Sequence, residues 1–176
     1  MKIYFARHGQ SNYNVIDLCN NNPKINVYLT ELGKKQAKNV GEMLKNKKIE
    51  IILISELPRT RQTAEIINEY HKVEVRIDKR INDRKTGFEG KSYYDYIKVI
   101  EKDKFHIKPK GGESFQEEKK RVFSFLDDLI KMNHKTILVV SHEEIMKIVK
   151  GYFENLSDEE MWNVGVENGK IMEFDF

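Results

Sequence analysis

Thr136 to Phe153 reads TILVVSHEEIMKIVKGYF. Thr136 to Val140 is a short β-branched apolar run, the composition of a buried strand. Ser141 and His142 interrupt it, and apolar residues then recur at helical spacing from Ile145 to Phe153. The same grammar repeats along the chain. Ile3 to Ala6 is followed by Arg7-His8-Gly9, Ile51 to Ile54 by Ser55 and Arg59, and Val73 to Ile77 by Arg80, Asp83 and Arg84. Helical spacing is predicted over Thr30 to Leu44, over Arg59 to Tyr70 with Pro58 in the first turn, and over Glu113 to Met132. Strands alternating with helices predict an α/β fold on a mostly parallel central sheet. The tail breaks the rule: Trp162 to Glu167 and Lys170 to Phe174 flank Asn168-Gly169, which predicts a hairpin with a type I′ turn.

The 176 residues suit one domain over residues 1–176, with no repeat or linker to divide it. Apolar residues at 39% and charged residues at 34% exclude a disordered chain and a membrane span. A net charge of +3 is too small and too evenly spread for a nucleic-acid partner. Cys19 is the only cysteine, so no intrachain disulfide can form and a cytoplasmic location is expected. Asn20 to Asn26, NNNPKIN, reads as a surface loop. No spacing suggests a zinc site, and His71, His106 and His134 read as surface residues.

Ligands of open α/β sheets bind beyond the carboxyl ends of the strands. Two histidines, several arginines and Asp83 should therefore converge at one edge, joined by helix N-termini. That set suits a phosphate dianion. Arginine grips phosphate oxygens with a rigid fork, and a neutral imidazole is then a competent nucleophile. The leaving alkoxide needs a proton, which Asp83 could supply, so a slightly acidic pH optimum is expected.

Six blocks, in order, resemble the histidine phosphatase (phosphoglycerate-mutase-like) superfamily: FARHGQSNYN, YLTELGKKQA, SELPRTRQTA, RINDRKTGFEGK, PKGGESFQEEKKRVFSFL and VVSHEEI. The resemblance implies a three-layer α/β/α fold without a metal or other cofactor. It implies His8 as the phosphorylated nucleophile, a phosphate pocket of Arg7, Arg59, His142 and Asn14, Asp83 as acid and base, and Gly9 as a point of close backbone approach.

Two departures stand out. The mutases of the family usually carry Glu where this chain has Asp83. The residues after the second histidine are usually small, whereas here they are Glu143-Glu144. A carboxylate about 6 Å from a phosphate charge costs about 3 kcal/mol at an effective dielectric near 20. Glu143 is therefore expected to point outward, on the first turn of a helix. Tyr93, Tyr94 and Tyr96 are expected to pack and to rim the pocket.

The expected function is metal-independent hydrolysis of small phosphorylated metabolites by a monomer or homodimer, with no nucleic-acid or membrane partner. Only about twenty residues separate Gly90 from Gly111, where mutases carry longer insertions, and a shorter cover admits water. Mutase activity is the alternative, with Arg84 binding a substrate carboxylate. A weak phosphate-binding protein is the third reading.

Overall fold

The computed structural model describes residues 1–176. Five strands form one sheet: β1 (Lys2–Arg7), β2 (Ile51–Ile54), β3 (Glu74–Ile77), β4 (Thr136–Ser141) and β5 (Ile171–Asp175). Their order is β3-β2-β4-β1-β5, and every pairing is parallel except β1 with β5.

Period-two alternation divides the strand side chains between two cores. On one face, Ile3, Phe5, Ile51, Leu53, Ile137 and Val139 pack with residues of α5 (Phe115–Leu129) and α6 (Glu143–Glu154). On the other, Tyr4, Ala6, Ile52, Ile54, Leu138 and Val140 pack with α2 (Glu31–Leu44) and α3 (Pro58–Asn68). The result is the expected three-layer sandwich.

Helix starts follow the local chemistry. Thr30 caps α2 by accepting from Gly33 N at 3.1 Å, Pro58 occupies the first turn of α3, and Ser114 and Glu117 form a capping box on α5. His142 is the N-cap residue of α6, and Asn155 ends that helix in the left-handed region at φ 54°.

The tail differs from expectation. Residues before Asn168 do not form a strand; Asp158–Trp162 is the short helix α7. β5 pairs instead with β1, from Lys2 opposite Asp175 to Ala6 opposite Ile171. The turn has positive φ only at Gly169 (75°), whereas type I′ needs it at both central residues. The edge of β1 was free, and it offered a longer ladder than a local hairpin. The short helix α1 (Asn12–Val15) and α4 (Tyr93–Ile100) were likewise unforeseen. Ser92 caps α4, whose buried Tyr96 and Ile100 pack on Cys19.

Gly9 does meet backbone closely, but the partner is protein. A Cβ at Gly9 would lie 2.2 Å from Gly33 O, and one at Gly33 would lie 2.0 Å from Gln10 O. Two glycines thus seat α2 directly against the end of β1.

Candidate active site

The carboxyl ends of β1, β2 and β4 bring His8, Ser55 and His142 together. The two imidazoles lie 5.2 Å apart between ring centres, inclined at 64°. His8 Nδ1 is 2.7 Å from Gly9 O. A carbonyl only accepts, so Nδ1 carries the proton and Nε2 holds a lone pair. That lone pair accepts from Arg59 Nε at 3.2 Å. Burial holds the His8 pKa well below the usual imidazole range, with Arg59, His142 and Arg7 adding to the effect.

His142 is anchored from behind: Nε2 sits 2.9 Å from Ser55 Oγ, which also meets Thr60 Oγ1 at 2.8 Å. Burial first, then Arg59 and Arg7, hold it well below the imidazole range too. Its Nδ1 is buried without a hydrogen-bond partner, and Asp83 Oδ2 stands 3.6 Å away. Arg59 comes from the first turn of α3 and is itself 4% exposed. Its Nη2 donates to the same Asp83 Oδ2 at 2.9 Å. One carboxylate oxygen thus faces both the second imidazole and the buried guanidinium.

Arg7 ends β1, and its Nη1 pairs with Glu143 Oε2 at 2.7 Å. The outward placement expected for Glu143 is therefore wrong. The first turn of α6 projects it beside the end of β1, within reach of Arg7, whose Nη1 also donates to Val166 O. Arg7 Nε is buried with no partner. Lys147, one turn further along α6, meets Glu143 at 3.2 Å and Glu144 at 2.9 Å.

Arg84 also departs from expectation. It is 4% exposed; Nε pairs with Glu118 at 2.6 Å, Nη2 with Glu144 at 2.7 Å, and Nη1 donates to Tyr96 Oη at 3.2 Å. Although it touches the cavity wall, its charge is already met by protein carboxylates, which leaves little for a substrate carboxylate. Burial pushes Glu118 up to about 7 against the pull of Arg84 and Arg121.

Asn14 uses its Oδ1 to close the cap of α1, accepting from Ser11 N at 2.9 Å and Ser11 Oγ at 3.0 Å. Its Nδ2 is the end left to donate into the cavity. Asn20 was missed: Asn20 to Asn26 looked like a surface loop, yet Asn20 is 7% exposed. Its Oδ1 accepts from Arg59 Nη1 at 2.7 Å and its Nδ2 donates to Glu89 at 2.6 Å. Glu89 also accepts from the backbone of Asn21 and Asn22, tying the loop to the segment after Asp83. Repeated asparagine gives no periodic signal; only the density of side-chain amides hinted at a loop held by hydrogen bonds.

A cavity of about 340 Å³ opens among His8, Arg59, Asp83, Asn20 and the first turn of α6, with Tyr13, Tyr93 and Tyr96 on its wall; His142, fully buried, lies behind this lining rather than in it. Arg7, Arg59, Arg84 and Lys147 are balanced there by Asp17, Asp83, Glu143 and Glu144. None of His71, His106 and His134 reaches it. No helix is long and apolar enough to cross a membrane.

The chain is similar to known proteins over nearly its whole length. An adenosylcobalamin/alpha-ribazole phosphatase of Escherichia coli is 28% identical, covering 96% of this chain and 87% of the relative. Phosphoserine phosphatase 1 of Hydrogenobacter thermophilus is also 28% identical, over 96% of this chain and 83% of its own. The crystal structure of the alpha-ribazole phosphatase from Shigella flexneri superposes with a TM-score of 0.90 at 27% identity, covering 99% of this chain and 90% of that one. The family profile for histidine phosphatase superfamily (branch 1) matches residues 3–176, and the chain belongs to that superfamily.

Proposed function

We propose that the protein hydrolyses small phosphomonoesters without a metal, through a phosphohistidine on His8. It is a phosphoric monoester hydrolase, as are the phosphatases it resembles. The observation that carries the mechanism is the His8 imidazole itself: Nδ1 is committed to Gly9 O, and the Nε2 lone pair lies beside Arg59.

The phosphate dianion replaces two protein carboxylates. It takes Arg59 and the vicinity of His142 Nδ1 from Asp83, and Arg7 from Glu143. His8 Nε2 then attacks phosphorus as the bond to the ester oxygen breaks. Asp83, freed from Arg59 and facing a dianion, carries the proton that the leaving alkoxide takes. In the second half, Asp83 accepts a proton from water as that water attacks phosphorus. The phosphorus–nitrogen bond breaks, inorganic phosphate leaves and the lone pair returns to Nε2. Asn14 Nδ2 and the arginines hold the equatorial oxygens through both halves.

The test is aryl phosphate hydrolysis in the presence of chelator, with His8→Ala alongside. Hydrolysis that survives chelation and vanishes in the variant supports the reading. Interconversion of 2- and 3-phosphoglycerate faster than hydrolysis would overturn it in favour of a mutase. One observation favours a second reading: Glu143 competes for Arg7, as it would in a weak phosphate binder. Phosphate binding without turnover of any ester would establish that reading instead.

A further inference from the structure

The first turn of α6 does more than cap a helix. Glu143 touches Arg7 at 2.7 Å and Lys147 at 3.2 Å, while Glu144 touches Lys147 at 2.9 Å and Arg84 at 2.7 Å. Arg84 is in turn claimed by Glu118 at 2.6 Å. Glu143 is thus balanced by Arg7 together with a share of Lys147.

A phosphate dianion disturbs that balance. If Arg7 turns to phosphate, which rests on the hydrolase reading above, Glu143 keeps Lys147 alone, and Glu144 already shares that ammonium. Glu144 keeps its pair with Arg84, so the charge left short of a partner on the cavity wall is that of Glu143. Lys147 is largely enclosed, with 11% of its side chain exposed, and two of its three N–H donors are already taken by Glu143 and Glu144. Solvent screens the surplus only partly, since the Glu143 side chain is 33% exposed. Tyr93 lines the same cavity and adds a phenol ring of the kind that tolerates a neighbouring cation.

We propose that Glu143 is a specificity-determining residue: it favours phosphomonoesters whose alcohol carries an ammonium group and disfavours those whose alcohol carries a carboxylate. The surplus negative charge on this wall is uncovered as the phosphate seats. It therefore acts on the alcohol half of the substrate at the moment of binding.

Binding to the His8→Ala protein, which leaves the ester intact, reads this by calorimetry. The probes are phosphoethanolamine, glycerol phosphate and 3-phosphoglycerate. The expected order of affinity is that order, ammonium first and carboxylate last. Adding Glu143→Gln should narrow the gap between first and last by about five-fold, the worth of one partly exposed charge contact. Adding Glu143→Asp instead, which keeps the charge, should preserve the order. An order indifferent to Glu143→Gln, or 3-phosphoglycerate binding best, overturns the proposal, and so does failure of all three to bind. The two readings fail separately. Wild-type protein that hydrolyses none of the esters but shows the charge-dependent order sinks the hydrolase and leaves the selectivity standing. Hydrolysis with a charge-blind order does the reverse.

Discussion

The floor and the wall of the cavity are built by different means. On the floor, His8 is held by Gly9 O on Nδ1 and Arg59 by Asn20 Oδ1 and Asp83, while His142 behind them is held by Ser55 Oγ on Nε2. These partners have few rotamers, so little can shift. On the wall, Glu143, Glu144, Lys147 and Arg84 hold one another by ion pairs between long side chains. Glu143, a third exposed, is the member of this set best placed to exchange partners when a ligand brings a new charge. A rigid floor is what the transfer step needs, and an exchangeable wall is where selectivity can be set without disturbing it.

The contrast can be broken most decisively on the floor. Arg59→Met should lower hydrolysis of any phosphomonoester by about 10²–10³-fold, because a buried donor to the transferring group is lost. A steady-state assay giving less than tenfold would mean the floor is not where charge develops. Asp83→Asn should cost about 10²-fold with an alkyl phosphate and far less with a nitrophenyl ester, whose leaving group needs no proton. Equal losses on the two substrates would remove Asp83 as the acid.

Smaller effects sharpen the picture. Ser55→Ala strips the hydroxyl from His142 Nε2 and leaves that atom buried without a partner. A stability loss of about 1–3 kcal/mol is expected by denaturant titration, together with weaker phosphate binding. Acidification probes the same pair. Both imidazoles are held low in the folded protein, whereas in the unfolded chain they protonate near pH 6.5. The unfolded state therefore binds the extra protons, and stability falls as pH drops below about 6.5, by up to about 1.4 kcal/mol per pH unit for each histidine. Melting temperatures taken from pH 7.5 downward should show this. His142→Gln should flatten the fall, and a melting temperature that rises on acidification would contradict the buried, neutral pair.

Much of the floor was legible in the chain itself. His8 and His142 directly follow buried strands and Arg59 opens the helix after another, and a strand's end in a parallel sheet is a place in space as well as in sequence. Arg7, His8, Arg59, Asp83 and His142 are brought together on that logic. Asn20 and Glu89 were not legible, because their positions depend on two loops closing on each other, 69 residues apart in the chain. The directions of Glu143 and Arg84 were equally hidden. Each was read by what a phosphate or a substrate carboxylate would want, whereas the fold surrounds each with protein charges that claim it first. The tail failed for a related reason: Asn168-Gly169 signals a turn, but only the open edge of β1 decides which strand β5 joins.

Local chemistry determined the four parallel strands, the longer helices with their caps and the order in which reactive residues reach the sheet edge. Periodicity, capping and β-branching act within a few residues and do not need the rest of the molecule. Apart from the Lys147 pairs within α6, which charges pair in the site was decided by tertiary structure. Ion pairing depends on distances of a few ångströms between residues far apart in sequence, and on how much water the packing leaves around them.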